Sequence, residues 1–337
     1  MRRHEELTPN EWLAQVQEDI IEPDLAIIDP HHHLWRHPGI DPYLIENLWD
    51  DTSSGHNVVK TVFVECYAQY RQDGPEQERS LGETEFVRQQ AEASDKNPKQ
   101  ATIAGIVGHV DLSIGEGLQA LLQQHMELAG GRFRGIRDAG ACAKHPEVMQ
   151  IAGRAAVDHY QRESFRQGVR LLGKMELTYD TWHYHYQNRD FLDLARACPE
   201  TMMVLDHFGT PLGVGPYASQ KDAIFEQWEK DIADIAKCPN VVAKIGGLAM
   251  PDNGFGWHER ETPATSDEFF EAQRHYYLHT IECFGPDRCM MESNFPVDRW
   301  SISYHVLYNG LKKIVADFSE TEKLAMFHDT SARVYSL

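Results

Sequence analysis

The stretch Ala26-Ile27-Ile28-Asp29-Pro30-His31-His32-His33-Leu34-Trp35 decides how this chain is read. A short apolar run ends in an acid, and two histidines follow at i and i+2. Alternate residues of a strand share a face. With Ala26–Asp29 as a strand, His31 and His33 point together off its C-terminal end. In a parallel α/β barrel that end is where active sites are assembled. Two convergent imidazoles there can hold a divalent metal or polarise a carbonyl. The bland alternative is a histidine-rich surface turn, because His37 lies nearby and a three-residue match is common by chance. The strand before the pair and the motifs after it favour a site.

Outward from this stretch, short β-rich runs alternate with longer amphipathic ones. The candidate strands are Ala26–Asp29, Thr61–Glu65, Thr102–Val110, Phe133–Arg137, Leu171–Thr178, Thr201–Asp206, Val241–Ile245 and Arg288–Glu292. Helix-compatible segments such as Glu83–Ser94, Gly117–Leu128, Glu147–Arg162, Asn188–Cys198 and Ile224–Lys237 lie between them. Strand alternating with helix means parallel βαβ units, and eight of them close into a single (β/α)8 TIM barrel with long βα loops at its C-terminal face. An open doubly wound sheet would want a glycine-rich phosphate loop after its first strand; this chain has histidines there. No linker or low-complexity tract divides the 337 residues, so 24–337 read as one domain. Residues 1–23 read as a polar lead-in with a short helix from Thr8. Residues 246–266 form a long loop punctuated by glycine and proline, in which Phe255, Trp257 and His258 suit a lid or pocket wall.

Composition narrows the class. A formal net charge of -20 and the lack of any basic run oppose binding to nucleic acid or to anionic membranes. Six cysteines are scattered without a C-x-x-C pair, which argues against a zinc knuckle, a redox motif or a disulfide framework. They read as buried thiols of a cytoplasmic protein. The opening Met1-Arg2-Arg3-His4-Glu5-Glu6 lacks the apolar core of a signal peptide. The chain also has no run of about 18 apolar residues that could span a membrane. A small-molecule substrate is the expected partner, with assembly into a homo-oligomer left open.

Further polar groups fall at the predicted strand ends. Val204-Leu205-Asp206-His207-Phe208-Gly209-Thr210-Pro211 runs from apolar residues into Asp-His and then breaks, which brings a third histidine to the mouth. Arg137 ends strand four, where it can clamp a carboxylate or a developing oxyanion, or pair with Asp138. Lys244 ends strand seven as a substrate contact or, the favoured choice, as the partner of a barrel acid. Glu65 closes strand two, and Glu292-Ser293-Asn294-Phe295-Pro296-Val297-Asp298 follows strand eight as a site-forming loop.

Taken together, Asp29–Trp35, Phe133–Arg137, Val204–Pro211, Val242–Leu248 and Phe284–Arg288 before Glu292–Asp298 resemble the amidohydrolase superfamily. More narrowly they resemble its amidohydrolase-related (amidohydrolase 2) branch, which contains sugar lactonases and a pyrone-dicarboxylate lactonase. The ending Met326–Tyr335 is similar to that branch's C-terminal helix, so the likeness runs from about residue 24 to 337. The resemblance implies a hydrolytic or decarboxylating site at the C-terminal face of the barrel. By the matching motifs, His31, His33 and His207 fall on positions that bind metal or polarise the scissile carbonyl. The family's aspartate after strand eight binds metal and acts as general base; here Asn294 stands in that place, and an amide cannot take a proton at neutral pH. The base then falls to Glu292 or Asp298, with Glu292 favoured because strand alternation places it on the side of Asn294. A binuclear site bridged by a strand-five lysine is not expected, because Lys174 lies early in that strand.

These readings converge on a hydrolase of a lactone from a sugar acid or an aromatic-degradation intermediate. Glu292 or Asp298 activates water, the three histidines stabilise the oxyanion directly or through one divalent ion, with zinc the expected one, and Arg137, Lys244, Glu65, Trp257 and His258 contact substrate. Metal-free catalysis is the alternative for the cofactor. A metal-dependent decarboxylase or hydratase of a small aromatic acid is the second reading, and a binding protein without catalysis is the third.

Overall fold

Eight parallel strands are hydrogen-bonded in chain order, β1 (Ala26–His32), β2 (Asn57–Val64), β3 (Thr102–Gly108), β4 (Phe133–Arg137), β5 (Thr178–Thr181), β6 (Met203–Leu205), β7 (Val241–Ile245) and β8 (Cys289–Met291). The computed structural model describes residues 7–37 and 39–337. The sheet closes where β1 meets the chain just beyond β8: His33 N donates to Phe295 O at 2.7 Å, and Asn294 N donates to His31 O at 3.0 Å. Helices Ile45–Thr52, Leu81–Ser94, Leu118–Leu128, Glu163–Lys174, Asn188–Ala197, Lys221–Ile235 and Ser266–Phe284 separate successive strands, and Tyr304–Ile314 follows the last. This is the (β/α)8 barrel, with an apolar shell between strands and helices and a smaller interior core of Val62, Val64, Val107, Val204, Val242 and Met290.

Period-two alternation explains how that interior becomes a site. Val204, Val242 and Met290 face inward, so Asp206, Lys244 and Glu292, two residues on, are delivered to the same interior at the C-terminal end. β5 departs from the expected Leu171–Thr178. Phe165, Val169 and Leu172 are the buried stripe of helix Glu163–Lys174, a helical spacing that carries Leu171 and Lys174 with it. The strand itself is the polar Thr178-Tyr179-Asp180-Thr181. The expected helix Glu147–Arg162 is likewise absent. That stretch holds only single turns at Pro146–Val148 and His159–Gln161 and pairs back on the loop after β4, with Ala155 N donating to Ala141 O at 2.9 Å.

The lead-in starts as expected. Thr8 caps helix Pro9–Leu13 in a capping box with Glu11. Trp12 Nε1 donates to Arg260 O and Glu261 O at 3.2 and 3.1 Å, and Glu18 accepts from Ser266 N at 2.8 Å, so the segment ties the long loop after β7 to the helix that follows it. The first six residues, on which the signal-peptide reading rests, lie outside the described residues. Among the described residues no helix is long and apolar enough to cross a membrane, and all six cysteines are free thiols.

Candidate active site

β1 runs three residues beyond the expected Asp29 end, and this extension aims its histidines. His31 and His33 lie on the inner side with ring centroids 4.9 Å apart, whereas the buried His32 turns to Thr61 Oγ1 at 3.0 Å. His207 follows β6 in a turn where His207, Phe208 and Thr210 all take left-handed backbone angles (φ 52°, 58° and 41°). Three strained non-glycine residues within four positions persist only where surrounding contacts over-determine them, and such strain concentrates at functional sites. Gly246 and Gly247 make the room: a Cβ at 247 would stand 2.1 Å from His207 Nδ1, and one at 246 would meet the Glu292 side chain at 2.5 Å.

Glu292 spans the two histidines. Its Oε1 accepts from His207 Nδ1 at 2.7 Å, and its Oε2 faces His31 Nδ1 at 2.8 Å. The latter two atoms form no hydrogen bond, and neither finds another hydrogen-bond partner among the described residues. Burial holds the His31 imidazole well below its ordinary value and His207 down to about 3, so both rings are neutral. Burial pushes the Glu292 carboxyl up to about 8 although Lys244 opposes the shift. Two polar atoms facing one another without a hydrogen bond in a dry site call for a proton or a cation between them. His31, His207 and Glu292 indeed place one donor atom each within 4.8 Å of the others. His33 is outside this group. It approaches His31 from the opposite ring nitrogen, Nε2 to Nε2 at 3.3 Å, and anchors its own Nδ1 on Val64 O at 2.8 Å.

The expected substrate contacts Arg137, Glu65 and Lys244 are committed to one another and to barrel acids. Arg137 Nε donates to Glu65 Oε1 at 2.7 Å and Nη2 donates to Glu65 O at 2.6 Å, leaving Nη1 3.4 Å from His31 Nε2 and 3.5 Å from Asp206 Oδ2. Lys244 Nζ donates to Asp180 Oδ2 at 2.7 Å and lies 3.4 Å from Asp206 Oδ1. Asp180 was missed because β5 was placed too early. Asp206, which the sequence brings to the mouth without a role of its own, is buried beside His207, and burial lifts its carboxyl to about 6.

The β8 loop is locked from beneath. Asp29 accepts from Ser293 N at 3.0 Å, Ser293 Oγ at 2.6 Å and Tyr304 OH at 3.0 Å, so the acid before the histidines is a clamp across the closing seam. Asn294 and Asp298 spend their side chains on each other, Nδ2 to Oδ1 at 2.9 Å, and Asp298 Oδ2 also accepts from Ala249 N at 3.1 Å. Among the described residues neither side chain is bonded to a mouth histidine, whereas Glu292 contacts two of them. Trp257 stacks on Phe255 (5.0 Å) in the outer core, and His258 lines a crevice of about 270 Å³ with Val148, Gly213 and Asp252, whose walls include none of the mouth histidines. Beside the mouth, Tyr67 is 58% exposed with a left-handed backbone (φ 61°), its ring 5.3 Å from His109.

Imidazoles, paired carboxylates and buried cations gathered at the C-terminal mouth of a (β/α)8 barrel have the layout of barrels that act on small molecules. The chain belongs to the amidohydrolase family, whose model matches residues 28–337. It is 33% identical to the uncharacterized protein y4mH of Sinorhizobium fredii over 93% of this chain and 99% of that protein. It is 25% identical to an L-fucono-1,5-lactonase of Burkholderia multivorans, over 71% of this chain and 73% of that enzyme. An amidohydrolase from Burkholderia multivorans, solved with zinc bound, shares the fold with a TM-score of 0.71 at 22% identity, over 93% of this chain and 99% of that one.

Proposed function

We propose that the chain hydrolyses a neutral lactone of a sugar acid. The observation that carries this reading is the Glu292 carboxyl group set between His31 and His207 at 2.8 and 2.7 Å. His207 orients Glu292, which in its ionised form takes the proton of the attacking water. His31, with Arg137 Nη1 3.4 Å from its Nε2, receives the charge that develops on the carbonyl oxygen. A lactone suits this machinery because its ring ester needs little help to leave. Both cations at the base are committed to Glu65, Asp180 and Asp206, which favours a neutral substrate over a dicarboxylate. The likeness to an L-fucono-1,5-lactonase supports the same class.

The donor set also fits a divalent cation of the kind seen in the zinc-bound relative. His31, His207 and Glu292 would hold it, and when bound it would supply Lewis acidity toward the carbonyl oxygen. The reading is tested by assaying neutral sugar lactones, L-fucono-1,5-lactone among them, beside pyrone dicarboxylate and hydroxylated aromatic acids. Ring opening of the neutral lactones is expected. Carbon dioxide release from the aromatic acids, or turnover of the dicarboxylate alone, would replace it.

A further inference from the structure

The barrel interior carries a second polar array that the proposed reaction does not use, and it begins at the C-terminal end of the chain. Tyr335 follows helix Thr330–Val334 and buries its ring, 1% exposed, among Val62, Val64, Val107, Val204, Val242 and Met290. Its hydroxyl donates to Asp180 Oδ2 at 2.5 Å, the oxygen that also accepts from Lys244 Nζ at 2.7 Å. Thr178 Oγ1 donates to Asp180 Oδ1 at 2.8 Å. Lys244 Nζ then stands 3.4 Å from Asp206 Oδ1, and Asp206 Oδ2 stands 3.9 Å from His31 Nδ1.

We infer that Tyr335 is a positioning residue for the active site, acting from the C-terminal end of the chain through Asp180, Lys244 and Asp206 on His31. Lys244 lies between two carboxylates, and its place depends on how hard each one pulls. The Tyr335 hydroxyl satisfies part of the Asp180 charge through a charge-assisted hydrogen bond, which leaves Lys244 shared with Asp206. Without that hydroxyl, Asp180 draws Lys244 toward itself. Asp206, whose oxygens accept no hydrogen bond among the described residues, then turns to Arg137 and His31. In a water-free interior such a shift of charge is felt along the whole array. Filling the barrel is the work of the ring; holding the array is the work of the hydroxyl.

Tyr335→Phe separates the two roles, with Leu337→Ala as a control that trims an apolar side chain of the same tail, packed on the interior valine cluster, and removes no hydrogen bond of the array. The direct readout is the ring-nitrogen signals of His31 in long-range ¹H–¹⁵N spectra of metal-stripped protein. They are expected to move in Tyr335→Phe and to stay in place in Leu337→Ala. This inference rests on the lactonase reading only for turnover. With L-fucono-1,5-lactone, kcat of Tyr335→Phe should fall about tenfold with KM within about a factor of two, while Leu337→Ala keeps its kcat. Unmoved His31 signals in Tyr335→Phe, or equal movement in both variants, would overturn the inference. A wild-type protein inactive on lactones counts against the proposed function alone and leaves the His31 signals to decide.

Discussion

On one side of the barrel mouth, the β1–β8 seam and the turn after β6 present His31 and Glu292 with facing atoms that no hydrogen bond satisfies. On the other, β4, β5 and β7 present Arg137, Asp180 and Lys244 with their charges committed to one another and to Glu65. The burial is alike, yet the facing atoms of the first side are unsatisfied and the charges of the second are paired. Buried ion pairs are costly to break, whereas uncommitted imidazoles and carboxylates add little to folding. Substitutions on the two sides should therefore separate stability from activity.

The largest effect is expected from Lys244→Ala, which leaves Asp180 and Asp206 buried without their shared cation. A loss of about 3–5 kcal/mol in denaturant unfolding is expected. A loss below about 1 kcal/mol would mean that this side is not built on its charges. Gly247→Ala should cost less, about 1–3 kcal/mol, since φ there is +73° and the new Cβ would collide with His207. Turnover should fall further than that cost explains, because the ring is pushed off Glu292. An Ala variant with wild-type kcat would show that His207 need not keep its place.

A pH signature follows from the buried carboxyls that hold an extra proton in the folded state, Glu83 and Glu292. Glu83 accepts from Cys66 N and Ala68 N at 3.0 and 2.7 Å, and burial, with the nearby Glu65, pushes its carboxyl up to about 8. Its folded value exceeds the unfolded one, so the folded state holds the extra proton and stability falls as pH rises from about 4.5 toward 8. The slope is up to about 1.4 kcal/mol per pH unit. Glu83→Gln keeps both hydrogen bonds and should flatten that decline; an unchanged slope would assign it to other groups.

The barrel was legible because its strand ends obey one rule: apolar inward residues followed, two positions on, by a polar one. Val204/Asp206, Val242/Lys244 and Met290/Glu292 each follow it. β5 escaped because its inward residues are Thr178 and Asp180, so the strand carries no apolar signal, while Leu171 and Leu172 belong to a helix. The preference for Glu292 over Asp298 followed from alternation, but the pairing of Asn294 with Asp298 did not, since it depends on a tight turn that holds Asn294 at φ 54°. That His31, His207 and Glu292 gather donor atoms without His33 was equally hidden. Spacing places two rings on one face and says nothing about which nitrogen each presents.

The central claim is that Glu292, not Asp298, works with His31 and His207. Glu292→Gln preserves shape and removes basicity, so kcat on a neutral sugar lactone should fall by about 10²–10³, with the unfolding midpoint close to wild type. Asp298→Asn, measured beside it, should lose stability through its bonds to Asn294 and Ala249 while retaining most of its kcat. A Glu292→Gln enzyme that turns over at the wild-type rate, with activity lost in Asp298→Asn, would contradict the account.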